Sequence, residues 1–315
     1  MDALDTQIDT TAFESRLADV AASAPDDSIG LFGPTSTVWK INRESLLFLG
    51  AGCASLLQLA HPMVGTAIAQ HSDTRQDPFA RFHRTFASVY AMLFGTTEQA
   101  LSRARKVRAV HERITGPLPA EADLGLSYAA NTVGPLLWVH LTLWHTSMSV
   151  YERLFGTQAE SEKDDYARDV ARFAALFGIP ETLTPGRWAA LTRRFDDYVR
   201  QPWMRPTSEA RATARFLLFE RPGGLPIPQW LRDVTAELLP EQLRQGFNLP
   251  TDEASARRSG KAFRRIRRVA PLLPARIRFV GPYQEASARI SGGLRPDFLT
   301  RRINRFWIGQ DSLTS

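Results

Sequence analysis

The stretch from Asp77 to Pro117 constrains this chain most, because it reads as two consecutive helices with both ends of each marked. Asp77 before Pro78 is an N-cap with proline in the first helical position. Phe82, Phe86, Val89, Tyr90 and Leu93 then recur at the period of an amphipathic helix, and Gly95 ends it. Thr96 opens the second helix, with Gln99 three residues on as a capping box. Ala100, Ala104, Val107, His111 and Ile114 share one stripe, closed by Gly116-Pro117. His111 lies within that apolar stripe, so it is expected to point into the core. Arg81, Arg84, Thr85 and Ser88 form a second face beside the phenylalanines. A buried histidine opposite clustered arginine and threonine suits a metal or anion site. A lone histidine on an apolar face is more often a core residue, and an arginine face is usually solvated. Periodicity leaves both readings open.

The same punctuation runs along the chain. Helices are predicted at 43–61, 62–72, 78–94, 97–115, 128–155, 161–177, 187–199, 207–219, 228–238, 241–246 and 252–270, most of them separated by glycine or proline. No alternating β-branched runs bounded by turns are present, so the expectation is an all-α fold in one helical domain with little or no sheet. Residues 1–34 read as an arm or weak helix closing at Gly33-Pro34, and 286–315 as a C-terminal extension. A chain of 315 residues, 43% hydrophobic and 23% charged, has ample material for a core.

Several functions are excluded or narrowed. The sequence holds no P-loop, GxGxxG, GxSxG or HExxH pattern, and its single cysteine, Cys53, rules out an internal disulfide and any CxxC metal site. Cys53 lies in an apolar run and reads as a buried, inert thiol. The net charge of +6 is arginine-heavy, with Lys40, Lys106, Lys163 and Lys261 the only lysines. It permits an anionic partner without demanding one. Arg257, Arg258, Lys261, Arg264, Arg265, Arg267 and Arg268 form a basic helix face backed by Phe263 and Ile266. That face reads either as a solvated helix or as a transient contact with an anionic membrane surface. No nucleic-acid motif accompanies it, and no nucleic-acid partner is expected. Ser45 to Ser72 carries no Asp, Glu, Lys or Arg, but Gln58, His61, Pro62, Thr66, Gln70 and His71 make it a buried helix rather than a membrane span. The opening MDALDTQID lacks the basic and apolar regions of a signal peptide, so a cytoplasmic protein is expected. His61, His71, His140 and His145 lie on segments expected to be buried, and His83 on the edge of its helix.

LLQLAHPMV at 56–64, QHSD at 70–73, DPFARFHRT at 77–85, FGT at 94–96, KVRAVHERITG at 106–116 and WVHLTL at 138–143 occur in this order. Together they resemble the family of the bacterial latex clearing protein (rubber oxygenase) and the fungal mycophenolic-acid-pathway oxygenase MpaB, over roughly residues 35–285. The resemblance implies a globin-like helical domain binding haem b, whose iron uses dioxygen to cleave a C=C bond in an apolar isoprenoid or alkenyl substrate. It implies His111 as the proximal iron ligand with Arg108 three residues before it. It also implies Arg81, Arg84 and Thr85 on the distal side, Arg81 and Arg108 helping to hold the cofactor. Arg84 stands where rubber-cleaving members carry a lysine that can ligate iron. Arginine stays charged and offers no lone pair, so the implied substrate is not rubber itself. A glutamate of the rubber enzymes has no placed counterpart; Gln70 and His71 occupy the nearest part of the chain. The rival expectations are a haem peroxidase or other haem oxidoreductase, and a non-catalytic helical protein that binds haem or lipid.

Overall fold

A computed structural model describes residues 3–72, 76–122, 125, 127–220, 227–249, 252–293 and 295–313. The first half is built from α1 (Thr10–Ala22), α2 (Thr37–Asn42), α3 (Ala51–Ala60), α4 (Pro62–His71), α5 (Pro78–Phe94), α6 (Thr97–His111) and α7 (Val133–Phe155). The second half adds α8 (Glu160–Ala175), α9 (Trp188–Val199), α10 (Ser208–Arg215), α11 (Gln229–Leu238) and α12 (Glu241–Gly246). It closes with α13 (Glu253–Val269), α14 (Ala275–Arg278), α15 (Gly281–Ile290) and α16 (Phe298–Ile308). The expected all-α fold is what forms. Among the described residues the only sheet is a two-stranded ribbon, β1 (Thr115–Pro117) antiparallel to β2 (Ser127–Ala129), with Gly116 opposite Tyr128.

That ribbon shortens two predicted helices. The one expected over 97–115 stops at His111, because Gly116-Pro117 turns the chain out of the helical path. The one expected over 128–155 begins at Val133, with Thr132 in the extended N-cap conformation and Pro135 in the first turn, where its missing N–H costs nothing. Helix α7 is apolar on nearly all sides and is the axis of the molecule. Trp138 on it stacks on Phe195 and Tyr198 of α9, each with ring centroids 5.4 Å away, and donates its indole N–H to Leu57 O of α3 at 2.8 Å. A fully buried tryptophan contributes its large apolar area only when that N–H finds an acceptor.

The uncharged stretch 45–72 folds as a 3₁₀ turn (Ser45–Gly50) followed by α3 and α4. His61 precedes a proline, which expels it from the helical region to ψ 120. The two segments that flank it are bent by 103°, and no single helix among the described residues is long and apolar enough to cross a membrane.

Both ends of the chain are packed into this body. In α1, Asp9 caps the helix, and Phe13, Leu17 and Val20 enter the same core cluster as α7. At the other end α16 lies on α5 and α15, and Asn304 donates to the Glu285 carboxylate at 2.7 Å. The turn between α5 and α6 is clasped from outside: Thr97 N–H donates to Asp27 O at 3.1 Å. Gly30, at φ +89, presses so closely on Gly95 O that a Cβ would lie 2.0 Å from it.

Candidate functional site

The helical hairpin α5–α6 positions the residues singled out in the sequence. Its caps are the expected ones: Asp77 accepts from Ala80 N–H, and Thr96 and Gln99 exchange the two bonds of a capping box. Near the turn both helices are sunk in the core, through Ala87 and Tyr90 to Phe94 on one side and Thr97, Ala100 and Ala104 on the other. Arg81 and His111 lie roughly 21 and 24 Å from the turn at ~1.5 Å per residue, so they share its open end. Arg84, Thr85 and Arg108 lie within one turn of them along the same helices.

His111 is the last residue of α6 and is half-buried, less deeply than its place in the stripe implied. Desolvation pushes its imidazole down to about 4, so it is neutral at physiological pH. Among the described residues no hydrogen bond or ion pair engages its ring. Arg81 is half-buried and is held below the usual arginine value, first by burial and then by the charge of Arg84. Arg84 and Thr85 are exposed, and Ser88 on the same face donates to Arg84 O at 3.0 Å.

Arg108 behaves differently from the expectation of a cofactor contact. Its guanidinium donates to Ile8 O at 2.9 Å and to Thr10 Oγ1 at 3.3 Å, approaches Glu112 at 3.3 Å, and lies 4.8 Å over the Phe13 ring. Those donors hold the N-terminal segment against α6. Nothing local marks this role, because Ile8 and Thr10 lie about a hundred positions away along the chain.

The structure also assembles a polar cluster that sequence reasoning missed. Tyr128 on β2, buried, donates its hydroxyl to Gln70 Oε1 at 2.7 Å and sits 2.9 Å from His71 Nε2, which is also 3.2 Å from Thr115 O. With the hydroxyl hydrogen given to Gln70, the His71 ring must donate to Tyr128 and Thr115. The ribbon therefore ties the end of α4 to the strand that follows His111. A Cβ on Gly116 would lie 2.8 Å from the Tyr128 hydroxyl, which is why glycine stands there.

The other histidines separate clearly. His61 and His140 are buried at 3% and 4% exposure, and desolvation lowers each to about 3. His140 Nδ1 accepts the Trp144 indole N–H at 2.9 Å, so the neutral ring carries its hydrogen on Nε2, which is buried without a partner. His145 stacks on Phe195 with centroids 4.0 Å apart. His71, expected to be buried, is exposed, and the His83 ring lies 3.0 Å from Phe306 O of α16. Cys53 is buried, its thiol pushed up to about 12 by desolvation, as suits an inert thiol.

Among the described residues no group of three or more His, Cys, Asp or Glu side chains is placed to hold a metal ion. A porphyrin-borne iron asks less of the chain, namely one neutral imidazole with a free nitrogen. His111 meets that requirement, and Arg81 supplies a cation of the kind that pairs with propionates.

The structure is thus an all-α protein in which the α5–α6 hairpin carries a neutral imidazole on one helix and two arginines and a threonine on the other, all towards its open end. Residues 39–272 match the family model described as "ER-bound oxygenase mpaB/B'/Rubber oxygenase, catalytic domain". The match covers most of the chain, and the chain belongs to this oxygenase family. No curated protein and no solved structure matches it.

Proposed function

We propose that this protein is a haem b-dependent oxygenase that cleaves a C=C bond of a small apolar isoprenoid or alkenyl substrate with dioxygen. The observation that carries the reading is His111: a desolvated, neutral, uncommitted imidazole at the same end of the hairpin as Arg81, in a chain of an oxygenase family. His111 would hold the iron, and Arg81 would pair with the propionates. A haem bound there supplies the iron that activates dioxygen.

The chain's own residues set the surroundings. Because His111 titrates at about 4, its nitrogen remains available to a metal throughout the physiological range. Arg84 and Thr85 stand on the face beside Arg81, where a fixed positive charge and a hydroxyl donor stabilise negative charge as it develops on oxygen. Arg84 offers no lone pair to a metal, so its contribution would be charge and hydrogen bonding alone. Phe82 and Phe86, half-buried, pack on Phe48, which packs in turn on Trp307, so the helix carrying Arg81 and Arg84 has an aromatic side. Oxidation of an alkene across both carbons gives two carbonyl products and needs no proton from the chain.

The test is the absorption spectrum of the purified protein, followed by turnover of an alkenyl substrate under dioxygen and under peroxide. A Soret band with dioxygen-dependent carbonyl formation is expected. A colourless protein that gains no Soret band with haemin overturns the haem, and turnover with peroxide alone overturns the oxygenase.

A further inference from the structure

A cavity of about 680 Å³ opens between the starts of α4 and α7, the outer half of α9 and the N-terminal segment at Leu4–Asp5. None of its lining residues belongs to α5 or α6, so it is separate from the hairpin site. Its volume is that of a small-molecule site. The cavity exists because Pro62 bends the chain at His61, and because the N-terminal segment closes one wall. Ile8 N–H donates to Asn131 O at 3.1 Å and Val133 N–H to Thr6 O at 3.0 Å, which lays that segment along the entrance to α7. Gly134 allows the approach: a Cβ there would meet Leu4 O at 3.0 Å.

The interior combines apolar walls with one conspicuous polar group. Met63, Pro135, Ala190 and the Trp203 ring supply the walls, and His61 stands edge-on to Trp203 with centroids 5.1 Å apart. His61 is 3% exposed, neither ring nitrogen has a hydrogen-bond partner among the described residues, and Nδ1 is completely buried. Those unpartnered nitrogens make His61 a polar point at the inner end of an otherwise apolar wall. The neighbouring Tyr198 hydroxyl is committed to Gly134 O at 3.1 Å. At the rim, Arg194 is half-buried and Arg193 exposed, and neither has a hydrogen bond or ion pair among the described residues. Of the rim carboxylates, Asp197 is taken by Arg200 at 3.0 Å, leaving exposed Asp5. The unpaired rim charge is therefore two arginines against Asp5, a net excess of one positive charge. The first turn of the 23-residue helix α7 lines the same space and adds its positive end.

We infer that this cavity is a second small-molecule site, and that it takes an amphipathic carboxylate. Its acid group meets Arg194 and Arg193, and its apolar body lies along Trp203 and Pro135 towards His61. The site is independent of the haem reading, because it needs neither the hairpin residues nor a cofactor.

The experiment is titration calorimetry on the protein as purified, with octanoate, octanol and octylammonium as probes. The variants are Ala190→Trp, which fills the cavity, and Arg193→Gln with Arg194→Gln, which removes the rim charge. Octanoate is expected to bind 1:1 and raise the Tm. Ala190→Trp should abolish binding, and the double glutamine variant should weaken it at least tenfold, with the Soret band and helical circular dichroism unchanged in both. Should Ala190→Trp fail to fold, the double glutamine variant, which changes only rim residues, decides. No saturable octanoate binding at millimolar concentration, equal binding by the glutamine variant, or equal affinity for octanol or octylammonium overturns the proposal.

Discussion

At the scale of single residues, the histidines carry most of the chemistry, and their surroundings distinguish them. His111→Ala is expected to lose most bound haem while helical circular dichroism is retained; a variant that keeps its Soret band would assign the iron to another ligand. Arg84→Ala and Thr85→Ala, at exposed positions on the helix that carries Arg81, should keep the Soret band and lose turnover or shift the cyanide-complex spectrum. Wild-type turnover in both removes them from the reaction. The buried pair His61 and His140 makes a different demand. Each is lowered from its ordinary 6.5 to about 3 by desolvation, so below pH 6.5 the unfolded chain binds protons that the folded rings refuse. Stability therefore falls as pH drops from about 6.5 towards 3, by up to about 1.4 kcal/mol per pH unit for each ring. Urea midpoints between pH 7 and pH 4.5 check this, and His140→Gln should reduce the slope by one proton.

At the scale of elements, the joints between helices rest on a few polar contacts of long sequence separation. Glu44, 1% exposed, accepts both donors of a fork from Arg278 at 2.8 Å each, joining the start of the 3₁₀ turn before α3 to α14. Breaking a buried pair costs about 3–5 kcal/mol, and because Arg278 itself is partly exposed, Arg278→Ala should cost about 2 kcal/mol in urea unfolding. A change within a few tenths would show that solvent replaces the arginine. Asp233, equally buried, pins α11 to α13 through Arg258, with the shorter contact at 2.6 Å. That contact removes Arg258 from the basic face read in the sequence, and Glu253 holds Arg257 at 2.9 Å.

At the scale of the whole molecule, the basic helix α13 lies with its apolar residues against the core and its arginines outward. Phe263, which backs the basic face, is buried with Val150, Leu154 and Val234, and Ile266 packs against the same cluster, as a helix packed on the domain requires. Arg264, Arg265, Arg267 and Arg268 are exposed, as are Val269, Leu272 and Ile277 in the segment that follows them. Exposed arginines on a helix followed by exposed aliphatic side chains suit an anionic bilayer, where each basic group contributes about 1 kcal/mol before screening. We expect co-sedimentation with phosphatidylglycerol vesicles at low salt that is lost at high salt. It should also be lost when those four arginines become glutamine. Binding unchanged in the glutamine variant would rule the surface out.

What the sequence determined by itself was local: helix caps at Asp77 and Thr96, the breaks at Pro62 and Gly95, and the all-α class. These follow from contacts spanning three or four residues, which are visible in the order of residue types. Tertiary structure decided the partners. Whether Arg108 meets a cofactor or the N-terminal segment depends on Ile8 and Thr10. Whether Gln70 and His71 are free depends on Tyr128, and the cavity beside His61 depends on α7, α9 and the chain's first residues meeting at one bend. Helical period states which side of a helix is apolar. It carries no term for what lies opposite, because the free energy of a buried polar group is set by neighbours brought from far along the chain.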